Sequence, residues 1–237
     1  QRDRRRASRR RRRRHRVSNA RAPRRIAVLI SGTGSNMLAL LDSCARGDIE
    51  GEVVTVLSDQ PEAAGLAKAT ARGIAVQALP FEPDESRHDH DRRLRRAIED
   101  SAAELVVLAG YMRLLDEQFV QHFADRLLNI HPSLLPRHKG LHTHRRVLEA
   151  GDPIHGASVH YVTPELDGGP CVLQGCVAVR PDDDAESLRL AVHRIEHVIY
   201  PRVVGWVTAG RLKLVEGLPT LDGALLQQPI REEFSRS

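Results

Sequence analysis

Aromatic residues are scarce in this chain: four Phe, three Tyr and one Trp make up 3% of 237 residues. Proteins that hold single-stranded nucleic acid commonly stack its bases on such rings, so a stacking platform is excluded as the basis of function. Cysteine is almost as rare. Cys44, Cys171 and Cys176 are odd in number and form no C-x-x-C pair, which removes zinc and dithiol redox chemistry and fits a reducing, cytoplasmic setting. Cys171 and Cys176 are five apart, so on a strand they point to opposite faces, which argues against a disulfide. No apolar run approaches the roughly 20 residues that cross a bilayer. No stretch has the apolar core of a secretory signal either, so no membrane association is expected.

The positive net charge of +5 is an average over unlike parts. Residues 1–25 hold 14 Arg against one Asp, which leaves the remainder net acidic. A like-charged run with almost nothing apolar cannot offset its ordering entropy, so residues 1–24 are expected to form a disordered arm. It lacks the amphipathic pattern of a targeting peptide. Nucleic acid is a conceivable partner only through this arm; the alternative is upstream sequence without a role.

From Ile26 onward, short β-branched runs alternate with helical stretches, the signature of βαβ units around a parallel sheet. Strands are predicted at 26–31, 53–58, 75–79, 104–110 and 126–130, with helices after the first, over 61–72 and over 86–102. Gly73 is placed to end the 61–72 helix. ELVVLAG is nearly all apolar, as befits the centre of a sheet covered on both faces. Strands at 157–163 and 171–179, joined by PELDGGP, form an antiparallel hairpin. A long helix follows from about 184 to 209, then a short strand at 211–217. The expected fold is α/β, a Rossmann-like, mostly parallel twisted sheet of about seven strands flanked by helices, with the antiparallel hairpin in its C-terminal half. One domain over 25–225 and a C-terminal tail over 226–237 complete the expected organisation.

Two stretches carry chemistry. SGTGSN lies where the first strand hands over to the first helix, and glycines there let backbone N–H groups approach a phosphate at a helix N-terminus. Met37 stands where the dinucleotide fingerprint needs its third glycine, so a phosphate monoester fits better than a pyrophosphate. LLNIHPSLLP is an apolar strand that ends on polar groups. Asn129 and His131 are two apart and share a face, Pro132 stops the ladder, and the carboxyl end of such a strand is where ligands bind. An amide and an imidazole side by side suit an oxyanion or a polarised carbonyl. Asp167, at the hairpin tip and after His160, could orient His131 and help it handle a proton; by itself an Asp before Gly-Gly is an ordinary turn residue. His142/His144 and His88/His90 lack the i, i+4 spacing of a zinc helix.

In their order and spacing, VLISGTGSN, VVLAGYMRLL, LLNIHPSLLP, KGLHTH, GASVHYVTPELDGGP and IEHVIYP resemble the phosphoribosylglycinamide formyltransferases, folate-dependent enzymes of purine synthesis, over about residues 25–225. LLNIHPSLLP and ELDGGP are shared with methionyl-tRNA formyltransferase and formyltetrahydrofolate deformylase, whereas SGTGSN and IEHVIYP narrow the choice. The resemblance implies formyl transfer from 10-formyltetrahydrofolate, a cosubstrate, to the amine of glycinamide ribonucleotide, without a metal, in a monomer or homodimer. It implies Asn129, His131 and Asp167 as the catalytic trio, with His160 in support. Gly34, Ser35, Asn36, Met112, Pro132 and Glu196 would hold the ribonucleotide's phosphate and ribose. Arg87, Arg113, Leu114, Leu115, Val162, Thr163 and Asp167 would hold the folate. The chain departs from the family in Arg137-His138-Lys139, in His193 and in the arginine arm. A deformylase using water as acceptor is the competing enzyme reading.

Overall fold

The computed structural model describes residues 24–236. The expected arm lies outside the described residues except for Arg24, which opens the first strand. The elements run β1 (Arg24–Ile30), α1 (Ser35–Arg46), β2 (Gly51–Ser58), α2 (Ala64–Thr70), β3 (Ala75–Ala78), α3 (Arg87–Asp100), β4 (Leu105–Leu108), α4 (Glu117–His122) and β5 (Leu127–His131). Then follow α5 (Thr143–Ala150), β6 (Ile154–Tyr161), β7 (Cys171–Ala178), α6 (Ala185–Thr208), β8 (Leu212–Val215), β9 (Leu218–Leu221), β10 (Ala224–Leu225) and β11 (Ile230–Glu233).

The main sheet has eight strands in the order β11-β7-β6-β5-β4-β1-β2-β3. β1 to β5 are mutually parallel, and β6 is antiparallel to both β5 and β7. Because β1 sits between β2 and β4, the connections leave it in opposite directions, and the strand order reverses at the β1–β4 boundary. Crevices open at the carboxyl ends of strands at such a point.

Alternation along the strands assigns the two cores. Ile26, Val28 and Ile30 join one apolar cluster with α1 and α6; Ala27 and Leu29 join another with α3 and α4. β5 obeys the same period. Leu128 and Ile130 face the α6 side and Leu127 faces the α3–α4 side, so Asn129 and His131 share the face of Leu127. Tyr200 of α6 is fully buried, and its hydroxyl lies 2.7 Å from the carbonyl of Leu108 and 3.1 Å from that of Leu128. This contact ties the long helix to the two strands that end at the crevice.

The strand expected at 211–217 is β8, but it pairs with β9, which in turn pairs with β10, in a separate three-stranded antiparallel sheet. The segment expected as a tail after 225 returns as β11, parallel to β7 on the sheet edge. Its sequence IREE carries one apolar residue in four, because an edge strand is held by backbone pairing and needs little buried surface. Among the described residues no helix is long and apolar enough to cross a membrane.

β6 also brings His155 and His160 inside, 1% and 2% exposed, and burial pushes their imidazoles down to about 3 and about 4. In the unfolded chain they protonate near pH 6.5, so between that value and the folded ones the unfolded state binds more protons. Stability should therefore fall as pH drops from about 6.5 toward 4, by at most about 1.4 kcal/mol per pH unit for each ring; urea unfolding at pH 7.5, 6 and 5 measures this. Tyr200→Phe should cost about 1–2 kcal/mol in the same assay at pH 7.5, through the lost hydrogen bond.

Candidate active site

At the carboxyl ends of β4 and β5 a cavity of about 850 Å³ is lined by Asn129, His131, Pro132, His160 and Asp167. Its apolar lining includes Met112, Leu114, Leu115, Val162, Leu141 and Leu166; Arg113 and Thr163 also line it. Met112 and Leu114 are exposed large apolar residues, 67% and 52%. Such surface beside a cleft marks a binding site.

His131 is 6% exposed and sits between two acceptors. Its Nε2 donates to the carbonyl of His138 at 3.0 Å, and its Nδ1 lies 3.4 Å from Asp167 Oδ2. The carbonyl can only accept, so Nε2 carries hydrogen; Nδ1 is the nitrogen that faces the carboxylate and the cavity. At 3.4 Å the Nδ1–Asp167 contact is longer than a direct hydrogen bond of good geometry, which leaves it open to a competing oxygen. Asp167 has φ 47, and Gly140 N donates to its Oδ2 at 2.8 Å. The turn that aims it depends on Gly169, where a Cβ would lie 1.9 Å from the Tyr161 carbonyl oxygen.

His160 has a different role. Its Nδ1 donates to the Tyr161 carbonyl at 2.8 Å, so Nε2 is a lone-pair acceptor, and Asn129 Nδ2 reaches it at 3.2 Å. Burial keeps this ring neutral at pH 7. It thereby fixes the Asn129 amide with one N–H committed and the other available. Burial likewise holds His144, on the cavity wall, down to about 4, and its Nδ1 lies 2.9 Å from His155 Nε2.

Of the second group of candidates, Met112 and Pro132 line this cavity, whereas Gly34, Ser35, Asn36 and Glu196 lie outside its lining. β1 ends next to β4, and Ser31 N donates to the Gly110 carbonyl at 3.0 Å while Met112 N donates to Ser31 Oγ at 2.9 Å. The loop then reaches Gly34, φ 70, whose place against Gly65 leaves 2.9 Å for a Cβ. Gly34 caps α1 without a side-chain hydrogen bond, and the first turn holds no acidic residue. The first N–H groups of α1 are thus free for an anion. Ser35 Oγ lies 2.6 Å from His193 Nε2, and Asn36 Nδ2 donates to Glu196 Oε2 at 2.9 Å. Asn36 Oδ1 is buried with no partner, and burial pushes the Glu196 carboxyl up to about 7. An acid at that value can switch between donating and accepting near neutral pH.

The remaining candidates spread outward. Arg113 lies over the Phe81 ring at 4.0 Å, and Arg87 stands exposed in the first turn of α3, outside the cavity lining. His88 pairs with Asp116 at 2.9 Å and His90 is fully buried, with Nε2 donating to the Leu79 carbonyl at 2.9 Å. Sequence reasoning did not single out Asp152, which takes Arg137 at 2.5 Å and His138 Nε2 at 2.6 Å and so clamps the residue whose carbonyl holds His131. The hydrogen bond from His138 holds that carboxyl below its ordinary value. The only signal was the charged triplet at 137–139, which marks a departure without revealing its partner.

Residues 24–204 match the formyl transferase family. The phosphoribosylglycinamide formyltransferase of Escherichia coli K12 is 50% identical over 201 residues, covering 85% of this chain and 95% of its own length. The Coxiella burnetii phosphoribosylglycinamide formyltransferase structure superposes with a TM-score of 0.84 at 42% identity, covering 88% of this chain and 99% of that one. A formyltetrahydrofolate deformylase from Pseudomonas syringae shares the fold at 23% identity, with a TM-score of 0.79 over 85% of this chain and 67% of that one. With identity and coverage of this extent, the chain belongs to the phosphoribosylglycinamide formyltransferases and is an enzyme of that family.

Proposed function

We propose that this enzyme transfers the formyl group of 10-formyltetrahydrofolate to the primary amine of glycinamide ribonucleotide, giving formylglycinamide ribonucleotide and tetrahydrofolate in purine biosynthesis. One observation carries the proposal: the Asn129–His131–Asp167 group at the end of β5 and an uncapped helix start at Gly34–Ser35 after β1 stand on either side of β4, at the carboxyl ends of one sheet. A deformylase, with water as acceptor, has no use for the second feature.

The amine nitrogen attacks the formyl carbon, the carbonyl π pair moves to oxygen, and a tetrahedral intermediate forms with negative oxygen and positive nitrogen. The free N–H of Asn129 and His131 Nδ1–H stabilise the oxygen. His160 holds the Asn129 amide in the donating orientation. Asp167, 3.4 Å from His131 Nδ1, balances the imidazolium and helps carry the ammonium proton to the folate nitrogen as the C–N bond to folate breaks. The balance needs no oxidant and no covalent link to the protein.

Around this centre the roles divide. The apolar wall of Met112, Leu114, Leu115 and Val162 suits the folate rings, with Thr163 and Arg113 at its polar margin. Pro132 and the Met112 backbone border the ribonucleotide. The helix start at Gly34, Ser35 and Asn36 takes its phosphate, and Glu196 accepts from its ribose hydroxyls. Arg87, exposed beyond the cavity, is suited to a distal carboxylate of the folate tail. The catalytic domain takes in residues 25–225 together with β11, which joins the same sheet.

Asp167→Asn should lower kcat by roughly 10²–10⁴-fold. Release of tetrahydrofolate, followed spectrophotometrically with and without glycinamide ribonucleotide, is the measurement; turnover that ignores the ribonucleotide would sink the proposal in favour of hydrolysis. Glu196 must be ionised to accept two hydroxyls, so kcat/KM for the ribonucleotide should decline as pH falls through about 7. Glu196→Gln should flatten that limb and lower kcat/KM about tenfold or more at pH 8, where the lost charged hydrogen bonds are worth roughly 1.5–3 kcal/mol each. In the free enzyme the raised Glu196 value contributes stability that is present below about pH 4.5 and lost as pH rises through about 7. The same variant should therefore be more stable than wild type at pH 8, a gain that a thermal melt reads directly.

A further inference from the structure

The loop 132–138 leaves His131 and returns to it, because its last carbonyl, that of His138, accepts from His131 Nε2. The path of this loop therefore sets the direction of the ring. Within the loop, Ser133 N donates to the His131 carbonyl at 2.8 Å and Ser133 Oγ donates to the Arg137 carbonyl at 2.7 Å. Two side chains from the sheet hold it from below. Ser158 of β6 and Gln174 of β7 are both fully buried. Ser158 Oγ accepts from Leu135 N and from Gln174 Nε2, each at 3.0 Å, so its one hydrogen goes to the Ser133 carbonyl at 2.7 Å. The other Gln174 amide hydrogen goes to the Leu135 carbonyl at 2.8 Å.

A buried amide of this kind works only one way round. Turned over, Gln174 would set its oxygen against the Leu135 carbonyl and leave two acceptors facing each other without a hydrogen. Arg231 of β11 reinforces this sense from the other side, its Nη2 donating to Gln174 Oε1 at 3.0 Å. A guanidinium can only donate, so the oxygen must face it and the two amide hydrogens must face the loop. Arg231 lies beyond residues 24–204, the part that matches the formyl transferase family.

We propose that Gln174, its orientation reinforced by Arg231, is a positioning residue for formyl transfer: it fixes the 132–138 loop and through the His138 carbonyl the His131 ring. This rests on His131 acting in catalysis as set out above. Neither side chain lines the cavity, so substrate affinity should be spared while the alignment of reacting atoms suffers. Small misplacements of that kind cost up to about 10²-fold in rate.

The test uses the full chain and compares kcat, KM for both substrates, the pH profile of kcat and thermal stability in Gln174→Leu, Arg231→Met, Arg231→Lys and His131→Asn. Gln174→Leu should lower kcat roughly 10- to 100-fold with both KM values within about twofold of wild type. Arg231→Met should lower kcat about 3- to 10-fold and shift the pH profile, with recovery in Arg231→Lys, which again donates to Oε1. Lower melting temperatures with kcat unchanged would overturn the inference and leave both residues purely structural. So would raised KM values at constant kcat. Should Gln174→Leu fail to fold, Arg231→Met, exposed on an edge strand, decides alone. His131→Asn separates the two levels: an active variant refutes the catalytic role itself, whereas an inactive one beside unaffected Arg231 and Gln174 variants refutes only the positioning.

Discussion

A strand buried on both faces can present polar side chains only where its cover ends, and the arrangement at β5 depends on that constraint. Leu127, Leu128 and Ile130 are buried between the two helix layers, while Asn129 and His131 emerge at the cavity on the face of Leu127. The same rule places the neighbouring loop after β1, since β1, β4 and β5 are parallel and end side by side. In the proposed reaction the two substrates would be gripped from strand ends on either side of β4, with the transferred group between them. Tyr200, bonded to both Leu108 and Leu128, keeps those ends in register.

The site divides its histidines by hydrogen-bond sense as much as by position. His160 gives its only proton to a backbone carbonyl and is an acceptor for Asn129; His131 carries hydrogen on Nε2 and turns Nδ1 to the cavity. Two rings of the same chemistry, on the adjacent strands β5 and β6, are thus a fixed acceptor and, in the proposed mechanism, a proton carrier. Glu196, which accepts from Asn36 Nδ2, and the unpartnered Asn36 oxygen are likewise buried polar groups, and in the proposed reading the ribonucleotide supplies their further partners.

Much of this was legible in the sequence because it rests on local pattern. Short β-branched and apolar runs marked β1 to β7 within a few residues, and the Pro-bounded LLNIHPSLLP announced a strand that ends in chemistry. Other parts depend on contacts that no local window contains. α4 and α5 are short, with six and eight residues, and little periodicity accumulates over that length. β11 is recruited by pairing with β7, and nothing in IREE signals it. Asp152 and Gln174 read as a turn acid and a strand polar residue; their partners lie 14 and 39 positions away at His138 and Leu135. The cavity itself was implied by the topology, but the tautomers of His131 and His160 are set by individual backbone carbonyls.

The two ends of the sheet bear on how the protein behaves at high concentration. β3, at one margin, is four residues long, and β11, at the other, is four residues of which three are charged. A foreign strand docking on either margin gains few backbone hydrogen bonds, and at β11 it must also accommodate Arg231, Glu232 and Glu233. The catalytic sheet is thereby guarded against growing by strand addition into aggregates, a protection that is independent of anything at the carboxyl ends of its strands.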